Sequence, residues 1–238
     1  IPGDKSMPVT KENSEALIIR NDAEGISNII LNRPNAYNSL TIESMELIIE
    51  ELSDISEDSS IKVIILSGAG KGFCAGHDMK DLRANPEKSF YEKTFKTSSN
   101  LMMSIINCPK PVIAKVHGIA TAAGCQLVST CDLAVADENA RFATPGVNIG
   151  LFCTTPMVGL SRNVTRKHAM ERLLTGDFIS AQRAYEIGLV NRIVPEAELD
   201  SAALELANKI AAKSPLTLKI GKEAFYKQLD KDMSGAYE

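Results

Sequence analysis

No run of apolar residues in this chain approaches the roughly 18 that crossing a bilayer requires, so no membrane span is expected. A basic excess is missing too. Against 26 Lys and Arg stand 30 Asp and Glu, a net charge of −4 with a pI near 5.6, which argues against a nucleic-acid partner needing a basic face to displace phosphate counterions. Zinc-type pairing is absent, because Cys74 and His77 form a lone C-x-x-H with no second pair, and no metal site is expected. The exit of one strand, Ser67-Gly68-Ala69-Gly70-Lys71-Gly72, lacks the spacing of a phosphate loop and has no hydroxyl after Lys71. No strict internal repeat is present, which excludes a solenoid of fixed period. The five cysteines (Cys74, Cys108, Cys125, Cys131, Cys153) are odd in number and sit in apolar or glycine-rich settings, so reduced thiols and an intracellular compartment are expected. The first residue is Ile1 rather than Met, and processed or trimmed termini are expected.

What is present is an ordinary soluble composition, 44% hydrophobic and 24% charged, in a chain of 238 residues long enough to bury a core without disulfides or metal. Residues 1–15 read as a flexible lead-in. Residues 16–20 and 26–31 are β-rich runs around a hairpin turn, and 32–38 read as a loop. Thr41 caps a helix whose Met45, Ile48, Ile49, Leu52 and Ile55 keep a spacing of three and four. Residues 61–66 and 111–117 are nearly continuous apolar strands of the kind covered on both faces. Between them lie a charged segment, 80–93, and a helix with Phe95, Leu101, Met102, Ile105 and Ile106 that Pro109 and Pro111 stop. A strand over 132–136 follows, then a loop-rich passage over 141–156, after which helices are expected to the end, two of them stopped by Gly176 and Gly188. Strand, glycine loop, helix and strand occur twice, from 61 and from 112, an α/β pattern of β-β-α turns. The boundary is expected near 195, with a mixed core over 16–195 and a helical region over 196–238.

Two glycine-rich stretches follow the two buried strands. Gly72-Phe73-Cys74-Ala75-Gly76-His77-Asp78 is one, and Gly118-Ile119-Ala120-Thr121-Ala122-Ala123-Gly124-Cys125-Gln126-Leu127 is the other. Small side chains permit close approach to the backbone, and N–H groups at a helix start lack intrahelical partners. If the strands are neighbours, the two stretches meet at their carboxyl ends, where two N–H groups can converge on one polarised oxygen.

These stretches, with Asn32-Arg33-Pro34-Asn35-Ala36-Tyr37-Asn38-Ser39-Leu40 before them and Phe142-Ala143-Thr144-Pro145-Gly146-Val147-Asn148-Ile149-Gly150 after, resemble the successive motifs of the enoyl-CoA hydratase/isomerase (crotonase) superfamily. The likeness runs from about residue 17 to 228. It implies a crotonase-like spiral of β-β-α units, a C-terminal helical region used in trimerisation, and a homotrimer or dimer of trimers. It implies an acyl-CoA thioester as partner, with coenzyme A entering as part of the substrate and no separate cofactor. By motif position the thioester oxygen would accept from the backbone N–H groups of His77 and Ala123. Coenzyme A contacts would fall on Asn35, Ala36, Tyr37, Ala75 and Lys80, and the acyl side on Gly146, Cys153 and Thr154. A further segment beyond Glu238, closing the acyl pocket, is also implied, and a bacterial cytoplasm or mitochondrial matrix as the compartment.

The departures from the pattern bear on chemistry. Hydratases of the superfamily carry glutamates at the positions held here by Gln126 and Gly146, and some isomerases an aspartate at Thr154. Gln126 can orient a water but cannot take a proton at neutral pH, and Gly146 offers no group. Efficient hydration is therefore not expected, and a non-catalytic acyl-CoA binder or regulator is the competing reading. A third uses the polarised thioester for decarboxylation or hydrolysis. The remaining candidates read as structural: the His77 ring leans on coenzyme A or solvent, Asp78 points away from it, His117 and His168 pack, Asp132 serves a strand edge or cap, and the thiols are inert.

Overall fold

The computed structural model describes residues 16–238, so the expected lead-in over 1–15 lies outside the described residues. Ile18–Ala23 (β1) and Ile26–Leu31 (β2) pair antiparallel around Glu24 and Gly25, both at positive φ, the two-residue turn that matches the twist of its strands. Ile42–Glu57 (α1) starts where expected, with a reciprocal capping box between Thr41 and Ser44. Val63–Gly68 (β3) and Val112–Val116 (β4) are adjacent parallel strands.

The charged segment between them is more regular than its composition suggests. Asp78 caps a short helix, Met79–Ala84 (α2), and Lys88–Asn107 (α3) takes in most of the rest. The small-residue stretch holds a strand, Ile119–Thr121 (β5), before Ala123–Thr130 (α4). Leu133–Asp137 (β6) follows, and the passage expected to be loop contains Arg141–Ala143 (β7) and a 3-10 turn at Pro145–Ile149. Helices Pro156–Asn163 (α5), Arg166–Thr175 (α6) and Ala181–Glu186 (α7) are interrupted by Ile179–Ser180 (β8) and followed by Arg192–Val194 (β9). The expectation of helices alone after residue 156 is thereby corrected: strands of two or three residues are too short to show a periodicity.

Two sheets result, one in the order β1-β2-β3-β4-β6-β9 and one in the order β5-β7-β8. In the successive pairs β4-β5 and β6-β7 the first strand enters the large sheet and the second crosses to the small one, whereas β1 and β2 both stay in the large sheet. Alternation along the large sheet divides its side chains. Ile64, Leu66, Val112 and Ala114 face a core shared with α1, α3 and α4, while Val63, Ile65, Ile113 and Val135 face the other side. That second face is covered by Leu199–Ala211 (α8), whose Ala203, Ala207 and Ala211 recur every fourth residue and let the helix lie close to the strands. Pro215–Gln228 (α9) and Met233–Tyr237 (α10) have no buried residue. No helix among the described residues is long and apolar enough to cross a membrane.

Candidate active site

Three segments meet at the carboxyl ends of β3 and β4. The first, 33–40, is tied to the second, 72–78, by the buried Asn38, whose side-chain amide donates to the carbonyls of Ala69, Gly72 and Phe73 at 2.9, 2.8 and 3.2 Å. Arg33 pairs with Asp78 at 2.8 Å. Burial raises the Asp78 carboxyl, but the Arg33 guanidinium, the N–H groups of Asp81 and Lys80 and the Ser39 hydroxyl outweigh it and hold the carboxyl below its usual range. Asp78 thus serves Arg33 and the start of α2 rather than His77. The third segment, 117–123, is laced to the second: Phe73 N–H donates to His117 O, Cys74 N–H to Ile119 O and Thr121 N–H to Cys74 O. Nε2 of His117 lies 2.8 Å from Gly70 O, a structural contact as expected.

Two glycines permit this approach. A Cβ at Gly124 would stand 2.0 Å from Cys74 O, and one at Gly76, whose φ is +94°, would stand 3.2 Å from Ala123 N. The stretches expected to face one another are therefore in contact. The N–H groups of His77 and Ala123 have no hydrogen-bond partner among the described residues. Ala122, which aims the second of them, sits at φ 49° and ψ −117°, a conformation open in practice to glycine alone. Such strain costs about 1–3 kcal/mol, so Ala122→Gly is expected to stabilise the protein by about 1 kcal/mol in urea unfolding. A lower midpoint in the variant would show that the residue is not strained.

Two side chains of these stretches also carry unpartnered polar atoms. Gln126 is 4% exposed, and its Oε1 is buried without a hydrogen bond. Both ring nitrogens of His77 are buried without a partner, and the ring meets Phe95 of α3 edge-on at 5.5 Å between centroids. The expectation that this ring leans on solvent is corrected: its nitrogens are buried and the ring packs on Phe95 of α3. Burial pushes the imidazole pKa down to about 4.

A histidine held neutral by the fold adds stability above its unfolded pKa of about 6.5, and that stability is lost as pH falls toward the folded value. His77→Phe, which keeps a ring against Phe95, is therefore expected to flatten the loss of stability seen between pH 6.5 and 4 in thermal unfolding.

Asn35 and Ala36 lie in a 3-10 turn, Pro34–Ala36, and Tyr37, exposed and at φ 48°, accepts the Ala75 N–H at 2.9 Å. Lys80 is exposed on α2. Gly146 is buried, Cys153 is 7% exposed and Thr154 is exposed. A Cβ at Gly146 would stand 2.8 Å from Leu151 O and 2.9 Å from Cys153 Sγ, so the space a longer side chain would need is filled. All five thiols are free and buried, and burial raises those of Cys74 and Cys125 to about 12, leaving them protonated and unreactive. Asp132 accepts from Val112 N–H, Lys222 Nζ and Tyr226 Oη, a structural role with partners that no sequence spacing reveals.

The sequence model of the enoyl-CoA hydratase/isomerase family matches residues 21–237. The chain is 44% identical over 236 residues to the rat (Rattus norvegicus) protein called enoyl-CoA hydratase domain-containing protein 3, mitochondrial, covering 99% of this chain and 78% of that one. The crystal structure of a Mycobacterium smegmatis enoyl-CoA hydratase is similar at a TM-score of 0.92 and 48% identity, covering 94% of this chain and 87% of that one. The human enoyl-CoA hydratase domain-containing protein 3 structure gives 0.90 and 45%, covering 93% and 88%.

Proposed function

The chain belongs to the enoyl-CoA hydratase/isomerase family, and from that premise we propose that it binds an acyl-CoA thioester and polarises its carbonyl between the N–H groups of His77 and Ala123. The observation that carries this reading is the pair of unpartnered N–H groups on loops in contact. Such donors are fixed before the ligand arrives, so they stabilise charge on an oxygen without reorganising. Coenzyme A would run along Asn35, Ala36, Tyr37, Ala75 and Lys80, with the acyl group toward Gln126, Gly146, Cys153 and Thr154. No cofactor beyond coenzyme A is part of the proposal.

Turnover is expected to be slow, because neither Gln126 nor Gly146 supplies an acid or a base. The second reading, a non-catalytic acyl-CoA binder, is favoured by that same pair of residues. Self-association as a homotrimer or dimer of trimers belongs to the proposal and is supported by apolar residues exposed on α9 and α10, among them Leu216, Ile220, Phe225 and Met233. A mitochondrial setting is supported by the name of the rat relative.

The experiment is calorimetric titration with butyryl-CoA and with S-butyl-CoA, which lacks the carbonyl. Two hydrogen bonds of ordinary net strength predict about 10-fold tighter binding of the thioester. Equal affinity would overturn the carbonyl clamp, and no affinity for either would overturn the acyl-CoA site.

A further inference from the structure

Among the described residues His77 is the one titratable side chain whose polar atoms are all buried and unpartnered, and its own N–H is one of the two donors proposed above. A buried histidine with a packing role ordinarily has at least one nitrogen satisfied, because leaving both unpaired costs stability with no return. Here neither is satisfied, and the carboxylate of the next residue, Asp78, pairs with Arg33. Burial alone depresses its basicity, with no charged neighbour contributing. A neutral imidazole offers an acceptor and a donor at one point, the two functions that a pair of carboxylates would divide.

Covalent reach places the ring close to the reacting carbons. Its nitrogens lie within about 5 Å of the residue's own backbone nitrogen. A thioester oxygen on that N–H brings the second and third acyl carbons into the same neighbourhood. Gln126 Oε1, on the helix that Ala123 opens, is likewise buried and unpartnered.

The geometry points to His77 as the proton-transfer residue for addition of water to an enoyl thioester, with Gln126 holding the water; this rests on the thioester-binding reading above. In the forward step a water held by Gln126 Oε1 gives a proton to a ring nitrogen as its oxygen bonds to the third carbon. The electron pair of the carbon–carbon double bond moves to the thioester oxygen, where the His77 and Ala123 N–H groups receive it. The imidazolium then returns the proton to the second carbon as the carbonyl re-forms. One water is added across one double bond, and the residue ends in its starting state. His77 works twice, through its backbone N–H and through its ring.

The test is hydration of trans-2-butenoyl-CoA by the wild type, by His77→Phe and by His77→Gln, with the affinity for butyryl-CoA measured on each. Both variants keep the backbone N–H, and the Phe variant keeps the contact with Phe95. The expected result is turnover lowered about 100-fold or more in both, the scale of a positioned acid–base group, with affinity changed by less than threefold. In the wild type kcat/KM is expected to fall as pH drops through about 4 and to be level above it. Turnover within threefold of wild type in either folded variant overturns the assignment. So does a wild type that binds butyryl-CoA and shows no hydration at any pH, which leaves the binding reading standing. Absence of butyryl-CoA binding by the wild type overturns both.

Discussion

Asp132→Ala is expected to destabilise the protein by about 3–5 kcal/mol, the scale of a buried ion pair deprived of one member. The Asp132 carboxylate accepts from Val112 N–H at 2.7 Å, from Lys222 Nζ at 2.7 Å and from Tyr226 Oη at 2.8 Å. Lys222 also donates to the carbonyls of Ile105 and Lys110 at 2.9 and 3.1 Å, and its side chain is 8% exposed. One cluster thus joins the end of α3, the start of β4, the approach to β6 and α9. Helix α9 has no buried residue of its own, so among the described residues these polar contacts take the place an apolar stripe would hold. Burial, and next the Asp132 charge, raises the Tyr226 phenol above its usual range, so it stays protonated and donates. Removing Asp132 orphans an amide and strands an ammonium; Lys222→Met removes the ammonium and leaves the carboxylate two donors. The double variant is therefore expected to lose less than the sum of the singles by at least about 1 kcal/mol, in a double-mutant cycle read by urea unfolding. Single variants each costing under about 1 kcal/mol would show that α9 is held in some other way.

The elements that could be read from the sequence are those whose signal is local. Thr41 with Met45, Ile48, Leu52 and Ile55 defines α1, and the apolar runs of β3 and β4 report burial on both faces. The two glycine stretches were legible as a pair because close approach leaves small residues in both. Elements β7, β8 and β9 were not, since two or three residues cannot show alternation. In α8 the buried positions are mostly Ala, which reads as weakly apolar until a sheet is found against it. Within the site the two N–H groups proposed as donors were picked out by motif position, but the surroundings of side chains could not be. The contact of His77 with Phe95 and the amide of Asn38 under three carbonyls are made across the chain, and the filling of the space at Gly146 by Cys153 depends on how the turn between them closes. The Lys222–Asp132 pair spans 90 positions, and no spacing rule operates over that distance.

Gln126→Glu is expected to raise hydration of trans-2-butenoyl-CoA about 100-fold, the lower end of what a positioned acid–base group contributes. The exchange alters charge and proton affinity while leaving the shape of the side chain unchanged. Oε1 of Gln126 is buried and has no hydrogen bond to lose. A carboxylate in that setting is desolvated, which raises its pKa toward the working pH and makes it a better base for water. Gly146→Glu is expected to behave differently. Its Cβ would press on a backbone carbonyl, Leu151 O at 2.8 Å, and on Cys153 Sγ at 2.9 Å, an overpacking that costs about 1–3 kcal/mol. The sulfur can be trimmed by Cys153→Ala, but the carbonyl belongs to the chain and moves only with the segment that carries it. The single Gln126→Glu change is therefore expected to exceed the Gln126→Glu/Gly146→Glu double change in both rate and stability. If the double change is the faster and remains as stable, the 146–153 turn yields more readily than its packing implies. If Gln126→Glu binds butyryl-CoA and gains nothing, the amide does not face the reacting carbons. The water would then have to be held by the ring of His77 alone, which the His77→Gln variant tests on the same substrate.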